Sequence, residues 1–496
     1  MTLVPLDIPA GFYRNGTDLE QSGRWRDGSL VRWRDGSLRP IGGWQERKTS
    51  FCTNPVRGMH AWESNNGTAW LAGGSHDQLI AMTGSGTAYD ITPTDLATGR
   101  EDAEVETGYG YGFYGIGFYG TPIQQLATAV PAEATTWALD NWGEYLVGCH
   151  YDDGRLLEWQ LGTGSDAAPI TNAPTDNLGL LVTEERFLFA LGAGGNPRTV
   201  SWCDQENNTV WTPATTNQAG SQILQTSGQI MQAIRTKGQT LIITDTDAFQ
   251  AVYSGPPFIY SFQRVGTSCG AISRKTATDT DLGVFYMGQR GFFHFDGNSV
   301  RQLPCDVHDH VFGDINVAQQ SKAWGFTNGQ FSEVWWFYCS EESTEIDRYV
   351  AFDYSENHWL IGNLSRTAGI ERGVFRYPFL AGHNADSDIY EHEVGLNVDD
   401  GSVFAETGPI SVGSGEQTAH VTSVIPDEKS QGDVNLTFKT RFHPNDTERS
   451  YGPFTPANPT SVRFSGRQMR MRVEGAKLAA WRVGNMRIDV KPAGRR

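Results

Sequence analysis

The feature that most constrains this chain is a hydrophobic alternation of period two in short segments cut off by Gly, Asn, Asp and Pro. Successive residues of a strand point to opposite faces, so such segments read as strands rather than helices. The clearest are Thr68-Ala69-Trp70-Leu71-Ala72, Glu144-Tyr145-Leu146-Val147-Gly148, Arg186-Phe187-Leu188-Phe189-Ala190, Thr240-Leu241-Ile242-Ile243-Thr244, Gly283-Val284-Phe285-Tyr286-Met287 and Glu333-Val334-Trp335-Trp336-Phe337. They recur in sets. GVFYMGQRGFFHFDGNSVRQL holds three strands separated by turns at Gln289-Arg290-Gly291 and Asp296-Gly297-Asn298, and RYVAFDYSENHWLIG repeats the idea around Ser355-Glu356-Asn357. Such turns join neighbouring antiparallel strands. Meanders of about 40–55 residues ending in an aromatic strand are the signature of β-propeller blades. The expected fold is therefore all-β. Residues 58–395 form a propeller of six or seven blades, with an array of β-sandwiches as the rival architecture.

Three further segments follow different rules. In CDVHDHVFGDINVAQQSKA, Val307, Val311, Ile315 and Ala318 make one apolar stripe, which predicts a helix near 306–320 inserted between two blades. Residues 396–496 carry longer strands that alternate apolar and basic residues, at Val434–Thr440, Gln468–Val473 and Trp481–Val490. They predict a separate antiparallel sandwich with a basic sheet face. At the other end, Arg24-Trp25-Arg26-Asp27-Gly28-Ser29-Leu30 recurs as Arg32-Trp33-Arg34-Asp35-Gly36-Ser37-Leu38. Asp-Gly after a Trp/Arg strand predicts hairpins, with Trp25 and Trp33 inward and the arginines outward. Residues 1–57 would thus complete a blade or sheet built mainly by later sequence. Between blades, residues 107–121 read TGYGYGFYGIGFYGT. The glycines leave the backbone free while Tyr109, Tyr111, Phe113, Tyr114, Phe118 and Tyr119 stay available for contact, as a tip or a channel lining.

Composition and charge exclude several classes. With 38% hydrophobic and 11% aromatic residues the chain is too apolar for disorder, and with Gly 57 it is too glycine-rich for a helical bundle. No apolar run reaches the ~18 residues of a membrane helix, and MTLVPLDIPAGFYRNG lacks the basic and apolar regions of a signal peptide. The expected location is the cytosol, or a particle assembled there. The net charge of −18 is unevenly spread. Residues 1–57 hold nine basic and six acidic groups, and residues 431–496 hold 13 and five. The remainder carries 17 against 46, a balance of −29. A body that acidic does not grip DNA by releasing counterions from phosphates, but it could let DNA slide past.

Chemistry-bearing motifs are few. Phosphate-loop, nucleophile-elbow, zincin and dinucleotide-binding patterns are all missing. The six cysteines show no metal spacing and read as buried free thiols. His308 and His310, at i and i+2 beside Asp306, Asp309 and Asp314, do not share a helix face. Asn384, Asp386, Asp388 and His392 lack the Gly and final Glu of a calcium loop. Ser64-Asn65-Asn66-Gly67-Thr68-Ala69-Trp70 is a near miss to a sialidase Asp-box and does not recur. No catalytic, cofactor or metal residue is assigned, and no enzyme activity is expected.

The run QSKAWGFTNGQFSEVWWFYCSEESTEIDRYVAFDYSENHWLIGNLSRTAGIERGVF, the opening NGTDLEQSGRWRDGSLVRWRDGSLRPIGGW and the Gly/Tyr/Phe run together resemble structural proteins of tailed bacteriophages. In length, and in the order propeller then Arg-rich terminal sheet, the chain is similar to the packaged-DNA stabilisation proteins, or tail nozzles, of short-tailed phages. That resemblance implies a virion tail protein that forms a ring, hexameric in that family. Such a ring lies below portal and adaptor, touches other tail proteins (fibre, plug or needle) and passes double-stranded DNA without reading its sequence. It implies that Tyr109–Tyr119 serve as tip or lumen, and that Arg463, Arg467, Arg470, Arg472, Arg482 and Arg487 serve assembly. The other functions the sequence leaves open are a propeller hydrolase acting on glycan and a receptor-binding tail protein.

Overall fold

The computed structural model describes residues 2–104, 132–383, 387–398, 402–412, 418–427, 431–476 and 479–494. Seven four-stranded antiparallel sheets follow one another along the chain. Their first strands are Gly58–Glu63, Trp137–Trp142, Gly179–Val182, Ile230–Thr236, Thr278–Thr280, Trp324–Asn328 and Arg366–Ile370. Each first strand touches the next, and the last touches the first, so the sheets close into a seven-bladed propeller around a central axis.

The six strands most legible in the sequence are the second strands of blades 1 to 6: Ala69–Gly74, Tyr145–His150, Leu188–Leu191, Gln239–Thr244, Gly283–Gly288 and Glu333–Tyr338. A second strand has a paired neighbour on each edge and another blade against each face. Alternation therefore gives way to continuous burial, and every residue of Gly283–Gly288 and Glu333–Tyr338 is buried. Between blades 5 and 6, Phe292 stacks at 4.7 Å on both Trp336 and Trp359. Such aromatic pairs add about 0.5–1.5 kcal/mol each beyond the area they bury.

Blade 7 is assembled from both ends of the sequence. Arg366–Ile370, Phe379–Gly382 and Ile389–His392 supply three strands, and Trp44–Lys48 adds the fourth, with Trp44 opposite His392 and Lys48 opposite Ile389. The first residues also build the second domain. One sheet of the sandwich runs Thr2–Leu6, Met486–Gly494, Thr418–Ile425, Thr460–Gly466. The other runs Trp25–Ser29, Phe404–Thr407, Gln468–Gly475, Val434–Arg441, Arg449–Phe454, with Ile410–Ser411 paired to Gln468–Gly475. Val421, Phe464 and Ile488 of the first sheet face Leu436, Phe438, Met471 and Val473 of the second. That core is continuous with Phe12, Trp25, Trp33, Trp336 and Trp359, so propeller and sandwich share one apolar interior. Phe12 meets Trp33 edge-on at 5.0 Å, and Trp25 lies 5.9 Å from it.

The tandem repeat takes two different structures. In the second copy Val31–Arg34 and Ser37–Pro40 form the expected hairpin, with Asp35 at φ 51° and Gly36 at φ 68°. In the first copy Asp27-Gly28 lies inside the strand Trp25–Ser29, which pairs with Phe404–Thr407 through a bulge, so the predicted first hairpin does not form. The two glycines are needed for different reasons. A Cβ on Gly36 would meet nothing within 4 Å, but one on Gly28 would sit 2.3 Å from the Phe12 ring and 2.7 Å from the Phe404 carbonyl. Trp25 and Trp33 are buried as expected, but Arg32 is buried too. Its guanidinium bonds Glu333 at 2.9 and 3.0 Å and Glu393 at 2.5 and 3.0 Å, tying the hairpin to blades 6 and 7. Strand alternation alone points it outward; two carboxylates from later sequence draw it in.

Two other expectations need correction. The inserted helix between blades 5 and 6 covers only His308–Asp314. Val307 and Val311 are buried, but Ile315 is already extended and bridges Ser340, while the Asn316 N–H bonds the Cys339 carbonyl at 2.9 Å. Gly313 weakens the helix just where this alternative pairing is on offer. The last sandwich strand begins at Met486 rather than Trp481, because the Val483 N–H and carbonyl are engaged with Leu38 of the hairpin at 2.9 Å each.

Because Trp33 packs at the junction of both domains, Trp33→Ala is expected to cost about 3–5 kcal/mol. Both domains should lose stability together in a single urea transition. Two separate transitions, one unshifted, would show that the cores are independent.

Candidate functional site

The propeller axis is where residues from distant parts of the chain converge. Arg57 immediately precedes the first strand of blade 1, Lys275 precedes that of blade 5 and Lys322 precedes that of blade 6. Arg57 donates from both terminal nitrogens to Glu345, at 2.8 Å on one side with a shorter contact on the other. The ammonium of Lys322, fully buried, donates to the Thr344 carbonyl at 2.6 Å and to Asp102, and lies 3.5 Å from Glu345. Burial pushes the Glu345 carboxyl up, but the charges of Arg57 and Lys322 outweigh it and hold the group down at about 2. Burial likewise disfavours the Arg57 cation, and Glu345 reverses that shift.

This ion-pair plug is continued by the connection between blades 1 and 2. Gln319 pairs with the Ala103 backbone, accepting its N–H at 2.9 Å and donating to its carbonyl at 3.1 Å. The Ala134 N–H bonds the Ser321 hydroxyl at 3.1 Å, and Arg274 pairs with Glu133 while lying 3.9 Å over the Tyr151 ring. Glu104 and Ala132 exchange backbone hydrogen bonds at 2.9 and 2.7 Å. The Gly/aromatic run and its six candidate residues, Tyr109 to Tyr119, lie outside the described residues. The described residues on either side, Ala103–Glu104 and Ala132–Ala134, lie at the same end of the axis.

Below the plug lies a cavity of about 170 Å³. It is lined by Arg57, Thr136, Gln232, Lys275, Lys322 and Thr367 among others. Further along the axis Arg235 grips Asp140 through two nitrogens at 3.0 and 3.1 Å, and His60 bonds Asn141 at 3.0 Å. Burial keeps the His60 imidazole below its usual range despite the nearby Asp140. Among the described residues the axis is thus crossed by ion pairs at one end and by the Arg235–Asp140 pair further along.

The candidate arginines separate into two groups. Arg470 bonds Asp18 at 2.7 and 2.8 Å and lies 3.0 Å from Glu448, and Arg472 pairs with Glu406 and Glu474 and covers the Phe404 ring at 3.5 Å. Asp18 also takes Arg26 and Arg441. Burial raises the Asp18 carboxyl, but the Arg441 hydrogen bond and the surrounding cations bring it below its usual range. The six-stranded sheet is therefore neutralised by its own chain. Arg467, half-buried, donates its N–H to the Arg441 carbonyl. Arg463 and Arg487, with Lys491, are exposed on the outer face of the four-stranded sheet, and Arg482 is exposed on the loop before it.

The remaining motifs have local roles. Ser64, Asn66 and Thr68 bond one another in the turn joining the first two strands of blade 1. His308 faces the Arg290 carbonyl at 3.2 Å and His310 faces Arg14 at 3.3 Å, so the two diverge. Of the loop around Asp388, residues 384–386 lie outside the described residues. The six cysteines are free, and burial pushes the thiols of Cys149, Cys203, Cys305 and Cys339 up to about 12. The axial residues were missed by sequence reasoning because each is isolated in its own stretch. One signal was available: a basic residue no more than two residues removed from the first strands of blades 1, 5 and 6, in a chain with only eight lysines.

No family model matches this chain, and no curated protein does. Among solved structures it is similar to a streptogramin B lyase, at 7% identity and a TM-score of 0.41, over 70% of this chain and 97% of that one. It is similar to YCF48 from Cyanidioschyzon merolae, at 9% identity and 0.39, over 71% and 98%. It is also similar to the Neurospora crassa Pan2 WD40 domain, at 8% identity and 0.39, over 73% and 97%. At these values the likeness carries no argument about function; the seven closed sheets themselves make the chain a β-propeller protein.

The plug makes an acid-sensitive contribution to stability. The Glu345 carboxyl sits below its unfolded value, so its contribution is present above about pH 4.5 and is lost as pH falls toward 2. Glu345→Ala leaves two buried cations short of a partner and is expected to cost about 3–5 kcal/mol at pH 7. The difference from the unmutated protein should shrink below pH 4, as read by denaturation at several pH values. A penalty independent of pH would contradict the assignment.

Proposed function

We propose that the chain is a structural protein of a bacteriophage tail, a ring-forming nozzle that continues the DNA channel rather than an enzyme. The observation that carries this reading is the division of charge between two domains that share one apolar core. Residues 58–395, which hold all of the propeller but Trp44–Lys48, carry 16 basic and 40 acidic groups, a balance of −24. The sandwich turns Arg463, Arg487 and Lys491 outward from one sheet. A basic face on one copy matches an acidic flank on the next, and repetition of that contact about an axis closes a ring. Beside the basic face, the edge strand Thr2–Leu6 leaves Leu3 and Val4 exposed, which adds apolar area to such a contact. The resemblance to tailed-phage proteins supports the same reading. Because the propeller axis is plugged, DNA would pass through the bore of the ring and not through any single propeller. The acidic propellers would line that bore and repel the phosphates.

The test is the mass of the purified protein near physiological salt, with and without the substitutions Arg463→Glu, Arg487→Glu and Lys491→Glu. The expected result is a closed oligomer, six chains by the family resemblance, that dissociates at high salt or on charge reversal. Electron cryo-microscopy of the particle should find it on the tail axis. A monomer at all concentrations, or density away from the tail axis, would overturn the reading. Turnover of a glycan substrate would replace it with the hydrolase alternative.

A further inference from the structure

The axial cavity holds more unsatisfied donors than a packing void would. The Arg57 guanidinium spends its two terminal nitrogens on Glu345, but its Nε, buried, has no hydrogen-bond partner. The Thr367 hydroxyl, 2% exposed, also has none. Lys275 reaches the same cavity, and among the described residues its ammonium has neither an ion pair nor a hydrogen bond. Charge points the same way. Arg57 and Lys322 are balanced by Glu345 and Asp102, and Asp140, the nearest acid acting on Lys275, is already held by Arg235. One positive charge is left over in a half-enclosed space. A buried donor left unmade costs about 1–3 kcal/mol, so the Arg57 Nε–H and the Thr367 hydroxyl, beside the half-buried Lys275 ammonium, call for an acceptor.

The geometry points to this cavity as a binding site for one small oxyanion, a phosphate or a compact carboxylate, held by Lys275, the Arg57 Nε–H and the Thr367 hydroxyl. The volume of about 170 Å³ admits such a group but is smaller than the ~300–1,000 Å³ of sites for drug-sized ligands. The donors come from blades 1, 5 and 7, so the anion would also tie the ring together across its axis. Burial lowers the Lys275 ammonium to about 8, so it is still mostly charged at neutral pH and can pair with an anion there. The site stands independently of the assembly proposed above, because it belongs to a single propeller.

The experiment is equilibrium dialysis of the full chain against radiolabelled inorganic phosphate and, separately, against labelled citrate. Both are run in chloride at matched ionic strength, because phosphate also stabilises proteins non-specifically. The expected result is saturable binding of one anion per chain for at least one of the probes, and the tighter probe identifies the class. Lys275→Met should weaken it at least about tenfold, in line with loss of a charge-assisted bond, and Lys275→Arg should restore most of it. Thr367→Val, a milder change, should weaken it about threefold while the circular dichroism spectrum is unchanged. Should Lys275→Met fail to fold, Thr367→Val alone decides. Absence of saturable binding for both probes, or binding indifferent to Lys275→Met and Thr367→Val, would overturn the site.

Discussion

The whole molecule depends on the pairing of Trp44–Lys48 with Ile389–His392. A propeller closes only when its last sheet is complete, and an open edge strand presents unpaired N–H and C=O groups. Here the closing strand comes from the opposite end of the sequence, and it does not come alone. The same segment carries Arg32 between Glu333 and Glu393, inserts Trp33 into the junction and contributes Thr2–Leu6 and Trp25–Ser29 to the sandwich. Ring closure and attachment of the second domain are thus one event. Neither domain owns a complete set of strands without the first 48 residues.

What the sequence showed and what it hid follow from the range of the interactions. Second strands of blades were readable because burial on both faces demands long apolar runs, and six of the seven were found. The seventh, Phe379–Gly382, is four residues long and ends in Gly, so it makes a faint pattern. The two copies of the Trp-Arg-Asp-Gly-Ser-Leu word are locally the same, yet one turns and one runs straight. The choice is made by Phe12 and Phe404, which no local pattern reveals. The basic sheet face was read correctly as sequence but not as surface, since Asp18 lies more than 400 residues away from Arg441 and Arg470 and cancels them. The axial cavity was out of reach for the same reason: its donors are single residues on separate blades.

Function in this chain is a matter of where charge is left uncompensated. Most arginines are spent on internal pairs that hold connections in place, as at Glu345 and Asp18. The few cations that remain unspent are therefore informative. Two groups of them stand out among the described residues, on the outer face of the four-stranded sandwich sheet and at the propeller axis. The first faces solvent and the second is half-enclosed, and the proposals above give a large partner to the first and a small one to the second. Electrostatics that is neutralised shapes the fold, and electrostatics that is not shapes recognition.

The pairing of Thr2–Leu6 with Met486–Gly494 has a consequence for biogenesis. A ribosome delivers the opening strands first, but their partners emerge roughly 340 to 480 residues later, at the slow pace of elongation. During that interval Trp33 and Trp44 lack their later ring neighbours His358 and His392, and the early blades stack in a ring that cannot shut. The shared core of the two domains can be completed only after Met486–Gly494 has been made.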